Sequence, residues 1–249
     1  MHLKKTVFAK NIIAEFLPPK KKSNKVIIFL DGMPSLPGGK KQVAMFFSKK
    51  GFWFFNPRYR GSWESGGEFL QQEPTVDVFD VIKHLEKSFE SIWEKETYKI
   101  TNPEFYIIGS SFGGPAALFC SQHKKVKKII ALSSVVDWND AQSSEPLDAL
   151  YQIIKSCFGE GYRLSKLNFS KLGKQGFYNP VDNQKNIVKD KILMIHAIDD
   201  SVVAYPAVQS FAQEMGIKLI YQKRGGHLSS KILMNYWMWK KVKRFFASA

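Results

Sequence analysis

Short apolar runs alternate with helical patterns along this chain, and the alternation limits the folds that it can adopt. The runs are four or five residues long and lie at 26–30, 52–55, 105–108, 128–132, 192–195 and 219–222. Runs that are nearly continuous in apolar residues are typical of strands buried on both faces of a sheet. Helical patterns lie between them, at 41–49, 75–96, 111–120, 206–215 and 229–246. This order predicts an α/β fold, with a mostly parallel twisted sheet flanked by helices.

Two parts of the chain depart from the alternation. Residues 6–9 and 12–17 predict an antiparallel pair of strands at the edge of the sheet. From 135 to 189 the strand patterns disappear, and a single helical pattern is followed by a stretch rich in Gly, Ser and Asn. Because a structureless loop of that length is uncommon inside a domain, we expect a small cap at 135–189. It would be inserted into one core domain formed by 1–134 and 190–249.

Composition indicates a folded protein of an intracellular type. The 249 residues are 44% hydrophobic and 24% charged, which excludes a wholly disordered chain. No apolar run approaches the roughly 20 residues of a membrane-spanning helix, and the N-terminal residues lack the apolar segment of a secretory signal. Two cysteines, Cys120 and Cys157, are too few for a disulfide framework. We therefore expect a cytoplasmic protein without a membrane span.

The chain is strongly basic, with 37 Lys and Arg against 22 Asp and Glu and a net charge of +15. Such a surface can attract nucleic acid, anionic lipid or acidic substrates. Only five of the 37 are Arg, the residue that nucleic-acid readers use for bidentate contacts. No zinc-finger spacing or RNA-binding motif accompanies the lysines. The pattern favours a solvated lysine-rich surface and no specific nucleic-acid partner.

A Gly-x-Ser-x-Gly motif at 109–113 follows the predicted strand at 105–108 and leads into a helical pattern. In this strand–turn–helix context the motif forms a nucleophile elbow, with the serine on a strained turn. Glycines are needed two positions before and after the serine, because strand and helix pack closely there. The N-terminus of the helix would place a positive dipole near a developing oxyanion. Ser111 is the candidate nucleophile, and Ser110 is expected to point elsewhere.

Two residues after the last predicted strands complement the serine. A serine hydroxyl needs a general base, and an acid must hold that base in place. His227 lies in a glycine-flanked loop after the strand at 219–222, and Asp200 follows the strand at 192–195. Both lie at C-terminal ends of strands, where open α/β sheets bind ligands. The spacing favours Asp200 over Asp199 as the acid, and Asp199 is expected to cap or orient the loop.

Three further stretches complete a set of motifs in a fixed order. Residues 30–34 read Leu-Asp-Gly-Met-Pro, residues 56–62 read Asn-Pro-Arg-Tyr-Arg-Gly-Ser, and residues 196–203 contain His-Ala-x-x-Asp-x-x-Val. Together with the elbow, they resemble the α/β-hydrolase superfamily, and within it the small esterase and prolyl-oligopeptidase-like branch without a propeller domain. The resemblance covers the chain from about residue 26 to the C-terminus, and it implies that fold and a serine hydrolase activity.

The elbow and the resemblance together imply an oxyanion hole. One donor is the backbone N–H of Phe112, the residue after the nucleophile, and the second comes from the loop after the first core strand. Pro34 has no N–H, so Met33 is the candidate, with Gly32 next. Asp31 stands where the branch usually has His. We expect its carboxylate to bond backbone or Arg60, because it would otherwise oppose a developing negative charge.

Two tryptophans are candidate walls of the substrate pocket. Trp63 belongs to a loop expected at the rim of the site, and Trp138 belongs to the predicted cap. Each could equally pack within its own segment. No metal-ligand cluster, Walker loop or dinucleotide fingerprint occurs in the sequence, so neither a cofactor nor a metal is predicted.

These residues predict a serine hydrolase that cleaves carboxylic esters of small to medium acyl or aryl groups through an acyl-enzyme on Ser111. A carboxylesterase is favoured over a peptidase, because the resemblance implies that peptidase relatives carry a large propeller for which this chain has no room. Peptidase, amidase or thioesterase specificity is an alternative. A second alternative is a non-catalytic binding module that uses the basic surface. The expected partner is a small-molecule ester, and the sequence does not distinguish monomer from dimer.

Overall fold

An eight-stranded sheet organises the computed structural model of the chain, which describes residues 2–144 and 146–248. Its strands are β1 (Lys4–Phe8), β2 (Ile12–Leu17), β3 (Lys25–Leu30), β4 (Trp53–Pro57), β7 (Glu104–Ser110), β8 (Val126–Leu132), β9 (Ile192–Ala197) and β10 (Lys218–Gln222). Strands β5 (Phe89–Glu90) and β6 (Thr97–Tyr98) form a separate antiparallel pair. The sheet order is β1-β2-β4-β3-β7-β8-β9-β10. Strands β1 and β2 are the predicted antiparallel pair at one edge, and from β4 to β10 all pairs are parallel. The predicted fold class is confirmed.

Helices cover both faces of the sheet. They are α1 (Lys41–Lys49), α2 (Pro74–Leu85), α3 (Gly113–Phe119), α4 (Leu147–Phe158), α5 (Lys166–Phe169), α6 (Tyr205–Met215) and α7 (Tyr236–Phe246). Helices α1 and α7 pack on one face, and α2, α3 and α6 pack on the other. Side chains of β3 alternate between the two cores, with Ile28 in one and Phe29 in the other. Burial on both faces explains why the run at 26–30 is continuously apolar.

The helix predicted at 75–96 is wrong beyond Leu85. The chain leaves the helix there and forms β5 and β6. Phe89 continues the helical spacing of apolar residues, but its ring packs against Phe16 and Phe55 at the sheet edge, with centroids 5.4 and 5.5 Å apart. A long-range contact therefore produced the local pattern. Helix α2 starts with Pro74 at its first position, where proline is favoured because an N–H would have no partner within the helix.

The helix predicted at 229–246 is divided in two. A 3₁₀ turn covers Ser230–Met234, and α7 begins only after Asn235. The Asn235 side chain accepts hydrogen bonds from the backbone N–H groups of Trp237 and Met238, at 3.0 and 3.3 Å, and so caps α7. Across residues 2–144 and 146–248, every helix is too short or too polar to span a bilayer.

The segment between β8 and β9 contains α4, α5 and several 3₁₀ turns. Its backbone bonds to the loop after β4, where Trp63 donates to the carbonyl of Gly161 at 2.7 Å and Arg163 donates to that of Gly61 at 2.8 Å. Some of its side chains, among them Tyr178, are fully buried in the core between the sheet and helices α2, α3 and α6. The segment therefore forms one wall above the carboxyl ends of the strands. Its description as a cap bounded by 135–189 stays a prediction.

Candidate active site

Ser111 lies at the sharp turn between β7 and α3. Its φ is +52°, in the left-handed region that side chains other than glycine seldom adopt. Its backbone N–H donates to the carbonyl of Leu132 on β8 at 3.0 Å, which ties the turn to the neighbouring strand. Residues held in this way cluster at functional sites, because the surrounding structure must stabilise the strained conformation.

Two glycines make this turn sterically possible. A Cβ placed on Gly109 would lie 2.2 Å from the carbonyl oxygen of Gly113. A Cβ on Gly113 would lie 2.5 Å from the carbonyl oxygen of Leu30 at the end of β3. Both distances are far below van der Waals contact. Helix α3 therefore packs directly on β7 and β3. Ser111, in the turn between β7 and α3, lies at the carboxyl end of the sheet.

His227 and Asp200 form a hydrogen-bonded pair. The imidazole Nδ1 lies 2.9 Å from Oδ2 and 3.1 Å from Oδ1 of the carboxylate. The Asp200 side chain is fully buried, whereas that of His227 is 28% exposed. The backbone N–H groups of Val202 and Val203 also donate to Oδ1, at 3.0 and 3.1 Å. Burial acts to raise the pKa of Asp200, but the hydrogen bonds from His227 and the backbone bring it below its ordinary value, so the acid is ionised at neutral pH.

Ser111 and His227 line one cleft of about 520 Å³. Within residues 2–144 and 146–248, no hydrogen bond joins the Ser111 hydroxyl to His227. Contacts between a nucleophile and its base are often long in the absence of substrate and tighten when it binds. The structure thus brings Ser111, Asp200 and His227 to the same end of the sheet, and their roles as nucleophile, acid and base stay a prediction.

The loop that carries His227 is held from two sides. The Asp199 carboxylate accepts the backbone N–H groups of Gly226 and Gly225, at 2.8 and 3.1 Å, and these bonds lower the pKa of Asp199. The hydroxyl of Ser133 accepts the backbone N–H of Leu228 at 3.1 Å. Asp199 orients the loop as its position in the sequence predicted. Ser133 was not singled out from the sequence, because it acts on a residue 95 positions away.

Both predicted oxyanion donors lie beside Ser111. Met33 and Phe112 line a narrow pocket of about 40 Å³ together with the serine. Among the described residues 2–144 and 146–248, neither backbone N–H donates a hydrogen bond to another backbone group, and their role as oxyanion donors stays a prediction. The Tyr178 hydroxyl donates to the carbonyl of Phe112 at 2.6 Å and accepts from the N–H of Ala116 at 3.2 Å. This buried tyrosine steadies the elbow, and no local sequence pattern marks it.

The sequence predicts that the Asp31 carboxylate bonds the backbone or Arg60, but among residues 2–144 and 146–248 it bonds neither. Its carboxylate forms an ion pair with Lys40 at 2.7 Å and accepts a hydrogen bond from the side-chain amide of Asn56 at 3.0 Å. Arg60 instead pairs with Asp77 and Asp80 of α2. Lys40 directly precedes α1, and its ammonium lies 5.5 Å from the Phe29 ring near the end of β3. This position puts it beside Asp31, the residue that follows the strand. The charge beside the oxyanion loop is thereby balanced.

The two tryptophans have different surroundings. Trp138 lines the narrow pocket, with Leu147 and Leu150 of α4. Trp63 lies behind the wall of the cleft rather than on it, because its indole N–H donates to the carbonyl of Ser35 at 2.8 Å and its ring packs against Phe158. Ser35 and Phe158 themselves line the cleft. The prediction of Trp63 as a pocket wall is therefore corrected to a supporting position.

A second histidine stands behind the pair. His196, at 1% exposure, has its Nε2 2.9 Å from the carbonyl oxygen of Val203 and 3.4 Å from Oδ2 of Asp200. Burial lowers its pKa below the ordinary value of 6.5, so the ring is neutral at neutral pH. A neutral ring that donates from Nε2 to Val203 fixes the strand end from which Asp200 projects.

Comparison with known proteins identifies a family over most of the chain. The model of the prolyl oligopeptidase family matches residues 40–236, a range that contains Ser111, Asp200 and His227. No curated protein sequence matches the chain.

Three solved structures illustrate the likeness in fold. The Pyrococcus furiosus esterase Pf2001 has a TM-score of 0.70 at 18% identity, over 98% of this chain and 88% of that one. The Pyrococcus horikoshii acylaminoacyl peptidase has a TM-score of 0.64 at 19% identity, over 98% of this chain and 40% of that one. Est1E from Butyrivibrio proteoclasticus, solved with ferulic acid bound, has a TM-score of 0.61 at 16% identity, over 98% and 99%. Such identities establish the α/β-hydrolase fold alone.

The buried His196 predicts a loss of stability in mild acid. Its pKa is lower in the folded than in the unfolded protein, so below about pH 6.5 the unfolded chain binds a proton that the folded protein does not. The free energy of unfolding is therefore undiminished by His196 above pH 6.5 and falls by up to about 1.4 kcal/mol per pH unit below it. Urea denaturation of the wild type and His196→Gln between pH 7.5 and 5.5 measures the effect. The wild type should lose more stability than the variant, and equal pH slopes would contradict the assignment.

Proposed function

The chain belongs to the prolyl oligopeptidase family, a family of serine hydrolases with the α/β-hydrolase fold, and from this premise we propose that it cleaves carboxylic esters of small to medium acyl or aryl groups. Ser111 is the nucleophile, His227 the general base and acid, and Asp200 the residue that orients His227. The observation that carries the proposal is the Asp200–His227 pair at 2.9 Å, in which His227 lines one cleft with a serine at φ +52°.

The reaction proceeds by acyl transfer. His227 Nε2 takes the hydroxyl proton as Ser111 Oγ attacks the ester carbonyl carbon, while Asp200 holds the proton on Nδ1. The N–H groups of Phe112 and Met33 donate to the oxyanion of the tetrahedral intermediate, and each such donor is worth about 100- to 1000-fold in rate. The intermediate collapses, the C–O bond to the alcohol breaks, and His227 gives its proton to the leaving oxygen. Water then attacks the carbonyl carbon of the acyl-enzyme while His227 takes its proton. The bond to Ser111 Oγ breaks, His227 returns the proton to the serine, and the carboxylic acid is released.

Ser111 lines two spaces, and these suggest how an ester is oriented. The leaving oxygen must receive its proton from His227, which lines the wide cleft of about 520 Å³. The acyl chain then extends into the narrow pocket of about 40 Å³, whose walls include Trp138 and Leu147. This orientation leaves room for a bulky alcohol and restricts the acyl group to a few carbon atoms.

The names of the structural neighbours favour an ester but include a peptidase. Pf2001 and Est1E are described as an esterase and as a protein binding ferulic acid, whereas the Pyrococcus horikoshii protein is an acylaminoacyl peptidase. The same nucleophile and base serve either substrate, so cleavage of peptide bonds is the second candidate function. The family name itself supports that candidate.

Covalent labelling tests the proposed nucleophile. A fluorophosphonate probe should label the wild type but not Ser111→Ala, and His227→Ala should label far more slowly because the hydroxyl is no longer activated. Asp200→Asn should lower kcat for p-nitrophenyl acetate by about ten-thousand-fold, by analogy with the loss of the orienting acid in other triads. Ser110→Ala is the matched control and should label and turn over like the wild type. Undiminished labelling of folded Ser111→Ala would reject the assignment.

A matched pair of substrates separates the two candidate functions. Alanine ethyl ester and alanyl-glycine amide share a three-carbon acyl group and differ in the bond to be cleaved. We expect hydrolysis of the ester, with kcat/KM at least about a hundredfold above that of the amide. Comparable turnover of the peptide bond would favour the peptidase.

The narrow pocket predicts a short acyl chain. Each buried methylene contributes about 0.8 kcal/mol, or roughly fourfold in kcat/KM, until the pocket is full. The kcat/KM for p-nitrophenyl esters should therefore peak at two to four carbon atoms. Leu147→Ala should move the peak to a longer chain by one or two carbons, whereas Leu167→Ala, at an exposed position on α5 outside the pocket, should leave it in place. An unchanged profile in Leu147→Ala would place the acyl group elsewhere.

A further inference from the structure

Helices α1 and α7 form the outer layer on one side of the sheet and pack against each other. Trp239 of α7 contacts Phe46 and Phe47 of α1, with ring centroids 5.2 and 5.8 Å apart. Buried side chains hold both helices to the sheet, among them Met238, Val242 and Phe246 of α7. We call their outward side the α1/α7 face. It is formed by Lys41, Lys49, Lys50, Tyr236, Trp237, Lys240, Lys241 and Arg244, all of which are exposed.

The positive charge of the chain is concentrated in the two stretches that supply this face. Residues 216–248 contain eight Lys and Arg and no Asp or Glu. Residues 16–57 contain eight Lys and a single acid, Asp31, which is buried and paired with Lys40. Within residues 2–144 and 146–248, the cations of the face make no ion pair. Their charge is therefore directed to solvent and to anything anionic that approaches.

Exposed aromatic rings accompany these cations. Trp237 and Tyr236 are 69% and 62% exposed, and the Lys240 ammonium lies 5.2 and 4.7 Å from the centroids of their rings. The Lys50 ammonium lies 5.4 Å from the ring of Phe46. Lys with Trp and Tyr at one surface is the composition of helices that lie in the interface of a membrane, where amphipathic rings sit at the level of the headgroups.

The face borders the mouth of the wide cleft. The cleft is lined by Leu36, Lys40 and Ser230, the first of which is 63% exposed. Lys40 directly precedes α1, and Ser230 begins the 3₁₀ turn that leads into α7. Anything bound to the face would therefore lie next to the opening through which Ser111 and His227 are reached.

We propose that the α1/α7 face docks on an anionic lipid bilayer. The lysines and Arg244 lie against anionic headgroups, and the rings of Trp237 and Tyr236 enter the headgroup region. The face stays folded when it binds, because the opposite side of each helix is held in the core. A nucleic acid fits the face less well, since it offers one arginine and convex helices rather than the groove that single strands occupy. The proposal does not depend on the reaction proposed for the cleft.

Vesicle co-sedimentation tests the proposal directly. We expect the protein to bind vesicles of 70% phosphatidylcholine and 30% phosphatidylglycerol at 50 mM NaCl, to be released at 500 mM NaCl, and not to bind pure phosphatidylcholine. Each neutralised lysine should weaken binding about fivefold, so Lys240→Gln with Lys241→Gln should weaken it about 25-fold. Trp237→Ala should weaken binding by several-fold at 50 mM NaCl.

A matched double variant provides the control. Lys83→Gln with Lys87→Gln removes the same charge from exposed positions at α2, on the opposite side of the sheet, and should retain at least half of the wild-type affinity. Circular dichroism and unfolding midpoints verify that all variants are folded. Equal losses in the two double variants, or no binding to anionic vesicles at 50 mM NaCl, would overturn the proposal. So would tight binding of a DNA duplex through Lys240 and Lys241 without binding to vesicles.

Discussion

The close approach of β7, α3 and β3 at the elbow is the contact on which the site depends. No side chain fits at Gly109 or Gly113, where a Cβ would lie 2.2 or 2.5 Å from a backbone carbonyl oxygen. That approach, together with the hydrogen bond from Ser111 to Leu132 at 3.0 Å, holds Ser111 in its strained conformation. Because Gly113 packs on the end of β3, the same contact also fixes the start of the loop after β3, which contains Met33. Ser111 and the N–H of Met33 are thus placed by one packing interaction.

Sheet order, rather than any local feature, assembles the remaining groups. Strands β7, β8, β9 and β10 are consecutive neighbours, so the residues after their carboxyl ends lie along one edge. Ser111 follows β7, Ser133 follows β8, Asp200 follows β9 and His227 follows β10. The hydrogen bond from Leu228 to Ser133 at 3.1 Å shows how closely these loops interact. The parallel arrangement brings together residues that are up to 116 positions apart in the sequence.

This dependence on sheet order explains what sequence reasoning could and could not recover. Burial on both faces leaves a continuous apolar run, so the strands and the positions that follow them could be predicted. The helix at 75–96 was extended too far because Phe89 is apolar for its contact with Phe16, which no local pattern reveals. Tyr178 and the Lys40 partner of Asp31 were missed for the same reason. Their roles arise from contacts between distant parts of the chain.

The distribution of ion pairs separates the two sides of the molecule. Acidic residues are used where loops must be joined, as in the pairs of Arg58 with Glu15 at 2.9 Å and of Arg60 with Asp80 at 2.7 Å. Such carboxylates compensate the charge on the side of β1, β2 and α2. The side of α1 and α7 is held instead by apolar packing, which requires no counter-charge. The cations of the α1/α7 face lie outside these ion pairs, so they leave an uncompensated positive charge on one face of the folded protein, adjacent to the cleft.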